Sequence, residues 1–119
     1  MGKNGAIMQV VNFSDYGSRQ ALDRAFGTRW LYVGPEQRRY GLRGSRLDNP
    51  YLVSSYGRAE AIELYRAWLW EKIQSGDPMI LAALNLLTDD TVLVCWCKPK
   101  ICHADVIVKA WEWLQTGSE

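Results

Sequence analysis

The stretch 92–107 constrains the fold more than any other part of this 119-residue chain. It begins with an apolar run that ends at Cys97. Such a run, without polar alternation, is typical of a central strand that is buried on both faces of a parallel sheet. A second pattern begins at His103 and has the character of a helix start. The sequence therefore predicts a buried strand over 91–97, a sharp corner, and a helix over 103–115.

Other signals place the remaining elements. Apolar residues recur at helical spacing at Ile62, Tyr65, Leu69 and Ile73, which predicts a helix over 58–74. Capping residues, an early proline and following glycines mark two shorter helices, and β-branched and aromatic runs indicate two more strands. The remaining predicted elements are strands over 6–12 and 28–33, helices over 18–26 and from Asp77-Pro78 to about Leu87, and a long irregular stretch over 34–57.

The order of these elements defines the expected fold. Strands and helices alternate, and parallel strands need crossovers that cover the sheet. We therefore expect an α/β fold: a small three-layer α/β sandwich with a short, mainly parallel sheet and about four helices, in a single domain over residues 1–119. Ligands of such sheets bind at the carboxyl ends of the strands, and the corner after Cys97 is such a position.

This corner concentrates the reactive side chains of the chain. All three cysteines and the single histidine fall within nine residues, at Cys95, Cys97, Cys102 and His103. Three thiolates and one imidazole form a complete tetrahedral zinc set, although the CxC and CH spacings are unusual for structural zinc. No cofactor or metal is favoured by the sequence, and zinc on these four residues is one open alternative.

Two other interpretations of the corner stay open. In one, Cys102 is the most reactive thiol, because a helix N-terminus and the nearby Lys98 and Lys100 would lower its pKa. In the other, the two strand cysteines are small buried core residues, and the polar residues after them only cap the helix.

Composition limits the class of protein. Hydrophobic residues make up 48% of the chain and six are tryptophan, so a substantial core is expected at this length. No apolar run is long enough to span a membrane, and no signal-peptide pattern opens the chain. Three cysteines, two of them separated by one residue, do not form a disulfide framework, which favours a reducing, cytoplasmic location.

Charge is unevenly distributed along the chain. The net charge is +1, but residues 1–58 carry nine Lys or Arg and four Asp or Glu, whereas residues 59–119 carry five and nine. The positive excess centres on Arg38, Arg39, Arg43 and Arg46. Guanidinium groups bind phosphate and carboxylate in two-pronged fashion, so we expect either an anion-binding loop or a solvated loop with ordinary surface charge.

The corner also resembles a known family. The prokaryotic and phage family catalogued as domain of unknown function number 4326 has a C-terminal signature that is matched here by Cys95, Trp96, Cys97, Pro99, Cys102, His103, Asp105 and Val106. Ala104 stands where the family usually has Gly. A second family block, G-S-K-W-G-N-P-F, is similar to residues 44–51, with Leu47 and Asp48 replacing Trp and Gly. The resemblance covers roughly residues 10–112, with an apparent insertion over 14–28, and it locates a site without naming an activity.

We therefore expect a pocket for an anion, a nucleotide or nucleic acid, formed by the loop 38–51 and the corner 95–105. Cys102 or His103 would supply a nucleophile or general base, and Asp105 would orient His103 or cap the helix. Asn49 and His103 should then be neighbours in space. The expected ligand-binding residues are Arg38, Arg39, Arg43, Ser45, Arg46, Asn49, Lys98 and Lys100.

The sequence does not decide whether the protein is an enzyme. A binding module could use the same basic loop and helix N-terminus without any chemistry. A phage-type interaction module would instead contact a host protein through exposed tryptophans, for which Trp30, Trp70 and Trp113 are the candidates. No membrane partner is expected.

Overall fold

The structure is a computed structural model that describes residues 8–116. Within that range the strands are β1 (Gln9–Asn12), β2 (Trp30–Tyr32) and β3 (Val92–Cys95). The α-helices are α1 (Arg19–Phe26), α2 (Val53–Tyr56), α3 (Arg58–Gln74), α4 (Pro78–Asn85) and α5 (His103–Gln115). Two 3-10 turns cover Phe13–Asp15 and Arg38–Tyr40. In the described range, no helix combines the length and apolar character needed to cross a membrane.

β3 is the centre of one parallel sheet with the strand order β1-β3-β2. Val92 pairs with Gln9 on one side and with Trp30 on the other. All four residues of β3 are buried, as its apolar run predicted. Because the three strands run in the same direction, their carboxyl ends meet at one edge of the sheet, which we call the carboxyl edge.

Each face of the sheet packs against its own hydrophobic cluster. The pleat of β3 directs Leu93 and Cys95 into a cluster built with α3, α4 and α5. Val92 and Val94 belong to a second cluster, which includes Leu22 of α1. The predicted small α/β fold with a parallel sheet between helical layers is therefore confirmed.

The two longest helices begin and end where the sequence predicts. In α3 the residues Ile62, Tyr65 and Leu69 are buried, so the helical spacing of apolar residues marks its core face. The start of α4 is also as predicted, because the Asp77 side chain accepts hydrogen bonds from the backbone N–H groups of Met79 and Ile80. That helix ends at Asn85, slightly before the expected position.

The strands are shorter than predicted. β1 covers 9–12, and residues 6 and 7 of the predicted strand lie outside the described residues. β3 ends at Cys95 rather than at residue 97, because the backbone beyond Cys95 hydrogen-bonds to a side chain and not to a neighbouring strand. The side-chain amide of Asn12 donates to the backbone carbonyls of Trp96, at 3.2 Å, and of Lys98, at 2.7 Å.

The stretch 34–57 is less irregular than predicted, since it contains α2 and a 3-10 turn. Buried side chains and long-range hydrogen bonds hold it against α3. Leu47 is 1% exposed, and its backbone carbonyl accepts a hydrogen bond of 2.6 Å from the Tyr65 hydroxyl. The Asn49 amide donates to the carbonyl of Ala61 at 3.2 Å. The loop is therefore fixed above the carboxyl edge.

Candidate functional site

A cavity of about 180 Å³ opens at the carboxyl edge. Cys95, the last residue of β3, lines it, and the chain that follows contributes Trp96, Cys97 and Cys102. The loop before α2 contributes Asp48 and Asn49, Arg58 enters from the first turn of α3, and His103 lies at the start of α5. We call this site the carboxyl-edge cavity. Since Asn49 and His103 both line it, their predicted proximity is confirmed.

His103 is buried and its orientation is fixed by backbone. Its Nε2 lies 2.7 Å from the carbonyl oxygen of Val33, just beyond β2. A carbonyl oxygen only accepts hydrogen bonds, so Nε2 carries the hydrogen and donates it. Nδ1 therefore faces the Cys102 sulfur, at 3.7 Å. The Tyr65 ring packs edge-on against the imidazole, with ring centroids 5.1 Å apart.

Asp48 places a carboxyl group beside this imidazole. Its Oδ1 lies 4.0 Å from His103 Nε2. Burial raises the pKa of Asp48 above the usual value for a carboxyl group, although the nearby His103 and a hydrogen bond from the Asn49 backbone oppose the increase. The cavity therefore disfavours negative charge on Asp48.

The three cysteine thiols are hydrogen-bonded to one another and behave differently. Hydrogen bonds from Cys102 and then Cys95 lower the pKa of Cys97 far below that of a free thiol, with a smaller contribution from Arg58. Hydrogen bonds with Cys95 and then with Cys97 raise the pKa of Cys102, and burial raises it further. The pKa of Cys95 is also raised, because its hydrogen bond with Cys97 and its burial outweigh its hydrogen bond with Cys102. These shifts favour Cys97 as the thiol of the cluster that ionises first.

Cys102 was predicted to be the most reactive thiol because its pKa was expected to be lowered, and that expectation is wrong. Cys102 is 1% exposed, and its pKa is raised rather than lowered. The expectation that Cys97 is a buried strand residue is also wrong, because β3 ends before it and the residue is half-buried. The basic residues expected near Cys102 do not act on it, since Lys98 Nζ lies 2.8 Å from Asp105 Oδ1 and Lys100 is exposed.

Asp105 caps the helix and does not orient His103. Its Oδ2 accepts a hydrogen bond of 3.0 Å from the backbone N–H of Cys102, and its Oδ1 pairs with Lys98. Of the two roles considered from the sequence, the structure therefore supports the cap. The partner that orients His103 is the Val33 carbonyl.

Sequence reasoning missed Arg58. Its guanidinium hydrogen-bonds the Cys97 thiol and donates to the carbonyl of Ile101 at 3.3 Å. The predicted start of α3 at residue 58 could have indicated that Arg58 lies at the site. The N-terminus of a crossover helix lies near the carboxyl ends of parallel strands, so the first residue of α3 belongs at the same edge of the sheet as Cys97.

Two expected ligand-binding residues have structural contacts instead. The Oδ1 of Asn49 accepts from the backbone N–H of Tyr51 at 2.8 Å, while its amide is bonded to Ala61. The Ser45 hydroxyl accepts from the backbone N–H of Leu47 at 3.0 Å. Both side chains therefore stabilise turns of the loop.

The loop 38–51 and the corner 95–105 meet at the carboxyl-edge cavity, but the loop contributes Asp48 and Asn49 to it and not the expected arginines. Arg38, Arg39, Arg43 and Arg46 are exposed, and none of them lines the carboxyl-edge cavity. Arg38 pairs with Glu36 at 3.0 Å. Arg43 lies in a separate groove of about 560 Å³, together with Ser45. Within residues 8–116, the only guanidinium that lines the carboxyl-edge cavity is that of Arg58.

The predicted zinc ligands do not form a ready-made metal site. Among residues 8–116, no group of three or more His, Cys, Asp or Glu side chains is arranged to hold a metal ion. The four residues Cys95, Cys97, Cys102 and His103 nevertheless lie together along the cavity wall. Their zinc affinity remains a prediction.

The tryptophans considered for protein contact lie in two places. Trp70 and Trp113 pack edge to face, with ring centroids 4.6 Å apart, beside a largely apolar cleft between α3 and α5. Each is 40% exposed. Trp30 is half-buried in the groove that contains Arg43.

Comparison with known proteins identifies one family. Residues 27–113 match the family described as Domain of unknown function (DUF4326). No curated protein and no solved structure matches the chain. The match includes the loop, α3 and the whole cysteine corner, whereas β1 and α1 precede it. Because it spans most of the sequence, the chain belongs to the DUF4326 family.

Proposed function

We propose that the protein binds a small phosphate- or carboxylate-bearing compound, such as the phosphate end of a nucleotide, in the carboxyl-edge cavity, with Cys97 as the nucleophile of the site. The observation that carries this proposal is the convergence of Cys97, Arg58, Asp48 and His103 on one cavity at the carboxyl edge of a parallel sheet. Ligands of open α/β sheets bind at this edge.

The Arg58 guanidinium supports an anionic ligand. Among the described residues, Arg58 is the only arginine or lysine that lines the cavity. A guanidinium group is planar and binds phosphate or carboxylate with two parallel hydrogen bonds. Burial raises the pKa of Asp48, so the neighbouring carboxyl group resists ionisation and repels an anion less than an ordinary carboxylate would.

The size of the cavity restricts the ligand further. Pockets for drug-sized ligands usually enclose about 300–1,000 Å³. At about 180 Å³, this cavity encloses either a very small molecule or one end of a larger one. We therefore expect a phosphate group with its nearest atoms to be bound, and the rest of a nucleotide to remain outside.

Cys97 supplies the reactive group because it combines acidity with access. The thiolate form of cysteine is the nucleophile, and a neighbouring cation favours that form. Cys97 is hydrogen-bonded to Arg58 and is the least buried of the three thiols. Cys95 and Cys102 keep their protons and hydrogen-bond it, so the cluster stabilises a single negative charge.

Alkylation with ligand protection tests this proposal. We expect brief iodoacetamide treatment of the native protein to label Cys97 before Cys95 and Cys102, as read by peptide mass spectrometry. Inorganic phosphate or adenosine monophosphate should slow the labelling. Arg58→Ala should weaken that protection about tenfold or more, because it removes a charge-assisted contact worth about 1.5–3 kcal/mol.

The matched control is Arg66→Ala, which removes an exposed arginine of the same helix that pairs with Glu63 outside the cavity. It should leave protection unchanged. Equal protection in wild type and Arg58→Ala would contradict the anion assignment. Preferential labelling of Cys102 would contradict the role of Cys97.

Metal analysis of the purified protein tests the other interpretation of the corner. Stoichiometric zinc that is lost in both Cys102→Ser and His103→Ala would replace the thiol proposal with a Cys3His zinc site. Zinc content below a tenth of an equivalent would leave the thiols free for the chemistry proposed here.

A further inference from the structure

We propose that a second site, a basic groove beside β2, binds single-stranded nucleic acid. The groove of about 560 Å³ lies between α1, β2 and the loop 41–45. Arg19, Trp30 and Arg43 are the side chains on which the proposal depends. The groove and the carboxyl-edge cavity have no lining residue in common, so this inference does not depend on the proposed function.

Arg19 connects the two walls of the groove. Its Nη1 donates to the carbonyl of Gly41 at 3.2 Å, across from α1 to the loop. The same guanidinium lies 5.8 Å from the centroid of the Trp30 ring. A cation is therefore held over an aromatic ring within the groove.

Trp30 is itself held in position. Its indole N–H donates to Asp23 Oδ1 at 2.8 Å, and the ring is half-buried. Proteins that bind single strands combine a positively charged groove with aromatic rings on which unpaired bases stack. The Arg19 and Trp30 arrangement provides both elements, whereas paired bases of a duplex could not reach a ring inside a groove.

The charge around the groove favours a polyanion. Arg19 and Arg43 line it, and Asp23 is the only carboxylate among the described residues of the lining. Within residues 8–116, no carboxylate lies within ion-pair distance of Arg43 in the groove or of Arg39 and Arg46, which flank the loop. Phosphates of a bound strand would therefore meet arginines that are not already paired within residues 8–116.

The two walls have different relations to the family. The loop and β2 lie within the matched residues 27–113, whereas α1, which carries Arg19 and Asp23, precedes them. The groove therefore exists only where α1 packs beside the family region. We argue its ligand from this chain alone.

Fluorescence anisotropy with a dye-labelled oligothymidine of about 15 nucleotides tests the proposal. We expect wild type to bind at about 50 mM salt and to lose affinity steeply as salt rises. The double variant Arg19→Ala/Arg43→Ala should bind at least tenfold more weakly. Its log–log salt slope should be smaller by about 1.4, since each phosphate contact to a single strand contributes about 0.7.

The matched control is Arg66→Ala/Lys109→Ala, which removes the same charge from α3 and α5. It should keep wild-type affinity and slope. Trp30→Leu should weaken binding about tenfold with an unchanged slope, because it removes stacking and no charge. Because Trp30 is half-buried, the urea unfolding midpoint of the Trp30→Leu variant is measured as a check that it is folded. Trp30→Phe keeps an aromatic ring and should restore part of the affinity.

Four outcomes would overturn the proposal. They are the absence of wild-type binding, equal loss in the control variant, equal affinity for duplex of the same length, and binding of an acidic polypeptide as tightly as oligothymidine. The last two would indicate an unspecific anionic surface rather than a groove for single strands.

Discussion

The carboxyl-edge cavity and the basic groove are built in opposite ways. Buried contacts fix the cavity: His103 in its lining bonds to the Val33 carbonyl, and Tyr65 bonds to the carbonyl of Leu47, which anchors the loop beside it. The arginines of the groove are exposed, and Arg19 has one backbone hydrogen bond to the facing loop. The cavity is thus formed by side chains that are fixed in the core, whereas the arginines of the groove lie on the surface of the protein.

Because of this difference, substitutions near the cavity should affect both stability and binding, whereas substitutions in the groove should affect binding alone. A substitution near the cavity removes both packing and site geometry, because the loop that carries Asp48 is anchored in the same cluster as α3. A substitution in the groove removes charge from a solvated side chain and leaves the core intact. Four predictions test this contrast, from the largest expected change to the smallest.

Leu47→Ala should lower the free energy of unfolding by about 2–5 kcal/mol, the usual cost of truncating a buried leucine. Leu47 is 1% exposed and anchors the loop that forms one wall of the cavity. Urea denaturation followed by far-UV circular dichroism measures the change. A loss below about 1 kcal/mol would mean that the loop is not part of the core.

Tyr65→Phe should lower the free energy of unfolding by about 1–3 kcal/mol, because it leaves the buried Leu47 carbonyl without its donor. Tyr56→Phe provides the control, since Tyr56 is 46% exposed and should change stability by less than about 0.5 kcal/mol. Equal effects of the two substitutions would show that the buried hydrogen bond contributes nothing.

The rate of Cys97 alkylation should be nearly independent of pH between about pH 6 and pH 8. A free thiol has a pKa of about 8.5, so its labelling rate rises about tenfold per pH unit in this range. The pKa of Cys97 is lowered, so the residue is already a thiolate throughout, and raising the pH adds no further nucleophile. Stopped-time labelling and peptide mass spectrometry give the rate. A tenfold rise per unit would show that Cys97 titrates as an ordinary thiol.

Arg43→Ala should change the free energy of unfolding by no more than about 0.5 kcal/mol, because the side chain is exposed. The measurement is the same urea titration used for Leu47→Ala, so the two sites are compared directly. Destabilisation above about 1 kcal/mol would place the groove loop in the stability-determining part of the fold.

The sequence predicted the helices best. The bounds of α3 and α5 follow from apolar periodicity and from capping residues, which are local signals. The end of β3 was not predictable in this way, because it depends on Asn12, which lies far away in the chain. Local apolar character continues to Cys97, but strand pairing does not.

The sequence correctly predicted that Asn49 and His103 lie close together, and it favoured Cys102 as the reactive thiol, whereas the pKa shifts favour Cys97. Spacing shows that Cys95, Cys97 and Cys102 are close in sequence, and it does not show which of them keeps its proton. That depends on hydrogen bonds among the three thiols and on Arg58, which only the folded chain brings together. The arginines of the loop are clustered in the sequence and so attracted a prediction, whereas Arg58 is a single arginine at the start of a helix.

The Asn12 amide has a consequence for the order in which the site is assembled. It bonds to carbonyls 84 and 86 residues later, and so connects the first described strand to the segment between Cys95 and Cys102. Contacts of such separation form late, since the chain must close a long loop before they contribute. A fragment limited to the family region 27–113 would contain every described residue that lines the cavity and would lack the two Asn12 hydrogen bonds. The segment that carries Cys97 is therefore tied to β1 only in a chain that contains both regions.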